Sequence, residues 1–362
     1  MAVNKTNRFG RLSGVEAKFC MMRNCKSYIL FYLFLCLFVV EAEGQIVDLD
    51  SITTDYFKKY DIIFIGEQHN IRDKSEIEVK LLNYMLIDSF RMCMEQDFTW
   101  NIPNKIVYEK RDTSLYKLNA YSSEEMLYRY FYNSKISVRA INVIHAEFVF
   151  KDEILKLYES KTQDSIVKRD LESFRKIGKI RFPFINRNSE KYGSFMDSLK
   201  MHRQAHISVL QADTSEAFDF FEALEKGLYT FHDYSAPDSR VASTYREDFI
   251  LKMISREIEK YSKVVSINGF FHVSIGGKET DVRNPKWIPL ATLVKNKYPE
   301  RRICSIYLYK NGKDRFLEKY YKNASDYILN NCVNEKDFII DLNYADSSFN
   351  ELKSKYTHIV VF

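Results

Sequence analysis

Glycine and proline are scarce, 11 and 6 in 362 residues. That excludes a collagen-like or linker-rich chain and leaves long regular elements as the default. Cysteine is thin as well: of six, Cys20, Cys25 and Cys36 lie in the first 44 residues, leaving Cys93, Cys304 and Cys332. An odd number with no C-x-x-C spacing argues against a disulfide scaffold, a zinc ribbon or a dithiol redox site, although one bridge, Cys304 to Cys332, is compatible with an exported chain. No apolar run reaches the ~20 residues that a membrane-crossing helix needs. There is no internal repeat, no low-complexity segment and no G-x-S-x-G nucleophile motif. Charge of one sign is lacking too. The formal net charge is +5, and residues 1–44 hold six Lys/Arg against three Glu, so the remainder carries about +2 and has no electrostatic case for nucleic acid.

What is present is a core-forming composition, 46% hydrophobic with 25 Tyr and 27 Phe. The first part has the order of a signal peptide: basic Arg23 and Lys26, the apolar segment Tyr28 to Val40, then small residues Ala42 and Gly44. Cleavage is expected near Gly44–Gln45, with export to the periplasm or the extracellular space and no stable membrane span afterwards. Residues 1–44 are thus an upstream extension plus signal peptide, and 45–362 one α/β domain.

Within that domain, strand and helix patterns alternate. "DIIFI" (61–65) is a continuous apolar strand, and Ile77, Leu81, Tyr84 and Met85 follow at helical spacing behind a cap at Asp73 and Glu76. "NKIVYEK" (104–110) reads as a second strand, a helix capped near Ser122 follows, and "ISVRAINVI" (136–144) reads as a third strand. From about 146 to 260 the strand signal gives way to charged, helix-period sequence, a helical insertion. "KVVSIN" (263–268), "RRICSIYLY" (301–309), "FIIDL" and "HIVVF" return to the sheet, with "ATLVKNKY" a helix between. The fold class expected is α/β, a mostly parallel β-sheet flanked by helices.

Ionisable residues gather where the strands end. Glu67 and His69 follow the first, Glu109, Lys110 and Arg111 end the second, His145 and Glu147 follow the third, and Asn268 and His272 follow the strand at 263–268. In open parallel sheets ligands bind outside the C-terminal ends of strands, because the loops converge there. Glu67, His69, Glu109, His145 and His272 could also form a metal site; no transition-metal motif is strong, and metal and cofactor use stay open. His202 and His206 stand at i, i+4 on a helix in the charged insertion and read as its solvated face, while His232 and His358 have no identifiable companion. Arg246 heads an apolar row, Ile250, Ile254 and Ile258, behind a helix start at Ser235 to Asp238. Facing inward, it needs a carboxylate or an anionic ligand; otherwise it snorkels at the edge of the core.

"IIFIGEQHN", "IVYEKRD", "YREDFILKMI" and "KVVSINGFFHVS" stand in an order that resembles the superfamily of erythromycin-esterase-like hydrolases and ChaN-like haem-binding lipoproteins. The resemblance implies an α/β sheet with a helical insertion and a site built from Glu67, His69, Glu109 and His272, with Arg246 from the insertion. Esterase-like members commonly read G-E-A-T-H-G and H-N-x-H; here Gln68 and Asn70 replace Thr and Gly, and Ile267 stands where the first late His would be.

The expected function is an exported hydrolase acting on ester bonds. His69 serves as general base on a water, Glu67 and Glu109 orient it, and His272 binds or protonates the leaving oxygen. Arg246, His145 and Asn268 hold a small-molecule substrate. The alternatives are a non-catalytic binding protein for haem or another ligand, and a degenerate member kept for structure.

Overall fold

A computed structural model of the chain describes residues 46–68, 71, 73–85, 90–110, 125–144, 159, 162–177, 194, 197–211, 219, 221–227, 230, 239–276, 288–332 and 336–362. The leader, its cleavage point, the cap at Ser122 and the helix start at 235–238 lie outside the described residues.

Among the described residues, eight strands form one sheet: β1 (Ile46–Asp48), β2 (Ile62–Glu67), β3 (Arg91–Asp97), β4 (Val138–Asn142), β5 (Val264–Gly269), β6 (Ile303–Tyr309), β7 (Phe338–Asp341) and β8 (His358–Val361). Their order is β1-β7-β8-β6-β2-β5-β3-β4. From β8 to β4 neighbours are parallel, and only β7 runs antiparallel to its neighbours β1 and β8. The central strands β2 and β5 are buried along almost their whole length, as largely apolar strands covered on both faces are, with Ser266 the one polar residue among the first four of β5. They pair in register from Ile62↔Val264 to Glu67↔Gly269, which brings Glu67 and the residues after β5 to one edge.

The helices are α1 (Lys74–Met85), α2 (Asn101–Lys110), α3 (Glu125–Asn133), α4 (Ser165–Ile177), α5 (Arg203–Gln211), α6 (Ser239–Lys260), α7 (Leu290–Lys297), α8 (Arg315–Tyr320), α9 (Lys322–Asn331) and α10 (Asn350–Lys353). Between β4 and β5 the described residues form helices and no strand. In α6 the row expected to face inward does so, with Ile250, Ile254 and Ile258 buried.

One strand expectation is corrected. Residues 104–109 are helical, part of α2, and the strand beside β5 is β3, whose Met92–Met94 pairs with Val265–Ile267. Pro103 falls in the first turn of α2, where its missing N–H costs nothing. The Asn101 side chain docks that turn on β4, donating to Ala140 O and accepting from Ala140 N, both at 2.9 Å. Cys304 and Cys332 are free, buried thiols, so the bridge considered between them is absent.

Gly66, near the end of β2, has a packing reason. A Cβ there would overlap Val273 Cγ2 and meet both Ile306 O and Phe270 Cα at 3.1 Å. The 3-10 turn Phe270–Val273, which carries His272, crosses β2 at this point.

Candidate functional site

A charged cluster sits where β3, β4 and β5 end, and Glu95 is its centre. The β3–β5 ladder stops at Met94↔Ile267, and the β3–β4 register shifts between Met94 and Asp97. Glu95 falls in that irregularity, of the kind that re-aims side chains beside sites. Its Oε2 accepts the Gly269 N–H at 2.6 Å, so a carboxylate continues the ladder where a carbonyl would have done so. Its Oε1 takes the Arg246 guanidinium and stands 3.3 Å from His272 Nε2. Arg246 also donates from Nε to Asn142 Oδ1 at 2.9 Å. The inward arginine of α6 therefore has its carboxylate, and helix α6 is bolted to the ends of β3 and β4.

His272 lies between two acids. Opposite Glu95, its Nδ1 approaches Glu247 Oε1 at 2.7 Å. Glu247 is itself buried, and the contact is close but poorly aligned for a hydrogen bond, so it acts as an ion pair. Burial opposes a charged imidazole, yet the Glu247 and Glu95 carboxylates outweigh it and push His272 up to about 9. At neutral pH the ring is an imidazolium. Among the described residues, the Glu95 and Glu247 carboxylates then face the Arg246 guanidinium and the His272 imidazolium, opposite charges brought together as buried ions require.

Glu67 forms an ion pair with Lys74 at the start of α1; the side chain of that lysine is 4% exposed. Gln68, the next residue, donates from Nε2 to the Tyr307 hydroxyl at 3.0 Å. Asn268 is fully buried and folded back on its own strand, its Oδ1 accepting from Ser266 Oγ at 2.6 Å, and its Nδ2 has no hydrogen-bond partner among the described residues. His69, His145, Glu147 and Arg111 lie outside the described residues, as does His232. Glu109 lies on the exposed face of α2 rather than in a strand; the strand-borne acid in the cluster is Glu95. Of the residues expected at the site, His272 and Arg246 meet on Glu95. Among the described residues, no group of three His, Cys, Asp or Glu side chains is arranged to hold a metal ion.

Glu95, Glu247, Asn142 and Lys74 escaped the sequence reading. The usable signal was Arg246 itself, since an inward arginine demands an acid at a strand end. His206 is a further correction: rather than solvated, it is 1% exposed. Its Nε2 and His202 Nδ1 share Asp170 Oδ2 at 3.1 and 2.8 Å, while Ser198 donates to Oδ1 at 2.6 Å. This buried carboxylate clamps α4 to α5.

No protein-family model matches the sequence, and no curated protein matches it. Solved structures match in shape. A mutant of the erythromycin esterase EreC in its open conformation aligns at TM-score 0.64 and 12% identity, over 85% of this chain and 91% of that one. A succinoglycan biosynthesis protein aligns at TM-score 0.59 and 11% identity, over 90% of this chain and 95% of that one. ChaN of Campylobacter jejuni, a structure describing cofacial haem binding, aligns at TM-score 0.34 and 11% identity over 74% of this chain and 92% of that one, too low a score to argue from. The α/β fold of this chain is thus shared with the erythromycin esterase structure.

Proposed function

We propose that the chain is a hydrolase acting on ester bonds of a small molecule, with its site at the C-terminal edge of the sheet. The observation that carries this reading is His272 between Glu95 and Glu247, at 3.3 and 2.7 Å, with Arg246 paired to the same Glu95. An imidazole held as the cation at neutral pH is a poor base and a ready acid. The base therefore comes from elsewhere, and His69, two residues beyond Glu67, is the candidate. In the reaction a water attacks the acyl carbon and its proton passes to His69. The acyl C–O bond then breaks, and the leaving oxygen takes the proton from His272 Nε2. Glu95 holds the His272 ring and Arg246 together. Export with cleavage near Gly44–Gln45 belongs to the same proposal and is tested by N-terminal sequencing of the mature protein.

Hydrolysis of p-nitrophenyl acetate is the direct test. The wild type should turn it over, and His69→Ala should lower the rate by roughly 10²–10⁴, the range of a positioned acid or base, with the fold intact. Equal rates for folded wild type, His69→Ala and His272→Gln would end the hydrolytic reading.

A further inference from the structure

The way the chain leaves β2 joins Gln68 to two residues that no motif marks, Tyr307 and Asp314. The β2–β6 ladder ends at Gly66↔Tyr307. Two residues on, Gln68 Nε2 donates to the Tyr307 hydroxyl at 3.0 Å, and that hydroxyl donates to Asp314 Oδ2 at 2.7 Å. Asp314 Oδ1 in turn accepts the N–H groups of Phe316 and Leu317, both at 3.0 Å, as the cap of α8. Tyr307 and Asp314 have no exposed surface. Burial and the Asp314 carboxylate hold the phenol far above its ordinary range, so it remains a donor. The chain of hydrogen bonds therefore has one direction: amide to phenol to carboxylate.

The same ring supports the other half of the site. Phe270, in the turn that carries His272, meets Tyr307 edge-on at 5.5 Å. Tyr356 packs on Tyr307 at 5.1 Å and donates its hydroxyl to Phe270 O at 3.3 Å. On the far side of the β2 exit, Lys74 pairs with Glu67, and Lys310 beyond β6 pairs with Asp73 ahead of α1. Tyr307 is thus shared by the segment bearing Glu67 and the segment bearing His272.

We propose that Gln68 and Tyr307 are positioning residues: the Gln68–Tyr307–Asp314 relay sets the end of β2 against the His272 turn. Its effect on turnover rests on the hydrolytic reading above; its geometry does not. Side-chain bonds that extend a ladder past its last pair replace backbone restraint with a restraint tuned by two side chains. A misplacement of about 1 Å between catalytic groups is enough to cost orders of magnitude in rate.

The test uses Gln68→Leu, Tyr307→Phe and the double variant in the full chain, with p-nitrophenyl acetate as probe and circular dichroism to confirm folding. Each single substitution should lower kcat about 10-fold at unchanged KM. The double should lose no more than either single, because both cut one chain. Wild-type kcat in either folded single variant, or losses that multiply in the double, overturns the proposal. A second readout is independent of turnover: in Tyr307→Phe the Gln68 side-chain amide resonance should shift and the Glu67 and Gln68 backbone amides should exchange faster. If the wild type does not hydrolyse the probe, the hydrolytic reading fails, and the relay then stands on that shift or is overturned by its absence.

Discussion

The sheet holds a histidine beside a carboxylate at each of its two edges, and the two pairs are in opposite states. At the edge where the parallel strands end, His272 has Glu247 and Glu95 within 2.7 and 3.3 Å and is pushed up to about 9. At the edge where they begin, His358 has Asp341 alone, at 3.7 Å, and Cys304 Sγ at 3.4 Å. There burial outweighs the one acid and drives the imidazole well below its ordinary range. Tyr56, Phe57 and Tyr60 ring His358, with centroids at 5.8, 6.4 and 5.8 Å. Cys304, His358 and Asp341 have the residue types of a thiol triad, yet thiol and ring are both held neutral. Residue types do not make a site; the number of nearby charges and the access of solvent decide whether a group is poised or inert.

The strongest way to break this contrast is to remove the shared acid. Glu95→Gln keeps the shape and deletes the charge that Arg246, His272 and the Gly269 N–H all use. Breaking a buried pair costs roughly 3–5 kcal/mol; Arg246 keeps 25% side-chain exposure, so about 3 kcal/mol is expected by urea unfolding, with hydrolysis at background. Asp341→Asn at the other edge should cost about 1 kcal/mol. Comparable losses at the two edges would erase the distinction.

Acid and base sharpen it. The His272 value is raised above the unfolded 6.5, so its contribution is complete below pH 6.5 and is lost as pH climbs toward about 9. A gap of that size corresponds to roughly 3–4 kcal/mol as an upper bound. The His358 value is lowered, so its contribution is present above pH 6.5 and is lost as pH falls. Imidazole resonances followed by NMR should show His272 titrating well above neutrality and His358 well below it. Titration of both near 6.5 would mean that neither environment acts as described.

A smaller effect follows from Gly66. Alanine there overlaps Val273 and presses on Phe270 and Ile306. Overpacking of this kind costs roughly 1–3 kcal/mol. Because the displaced turn carries His272, Gly66→Ala should also lower the His272 titration point as the ring moves off its two acids. A lost midpoint in urea with an unmoved His272 resonance would show that the turn adjusts without disturbing the site.

These contrasts explain what was legible in the sequence. β2 is an unbroken apolar run and β5 an apolar run interrupted only by Ser266, each ending at polar residues, so their burial, pairing and direction could be read directly, and with them His272. The strand β3 could not: "RMCMEQD" has only three apolar residues in a row, none β-branched, with charges at both ends. "IVY" in α2 is more strand-like locally, and its helix comes from Pro103 and the docking of Asn101 on β4. Missing β3 hid Glu95. Glu247 was hidden differently, since it neighbours Arg246 in sequence but meets His272 from α6 through tertiary packing. The His206 environment depends on Asp170, 36 residues away, and charge pattern alone reads it as solvent-facing.

The smallest expected effect tests the inert edge. Burial pushes the Cys304 thiol up to about 12, and the Cys93 thiol likewise to about 12. At neutral pH the thiolate, which is the reactive form, is then a vanishing fraction of either residue. Iodoacetamide added to the native chain should leave Cys93, Cys304 and Cys332 unmodified in the mass spectrum, and the same reagent in urea should reach all three. Cys304→Ser replaces a thiol that contacts only Thr357 and His358 among the polar groups described; a hydroxyl suits both, so hydrolysis should be unchanged. Rapid alkylation of Cys304 in the folded protein, or loss of turnover in Cys304→Ser, would move the chemistry to the edge where the strands begin and dissolve the comparison on which the site at the other edge rests.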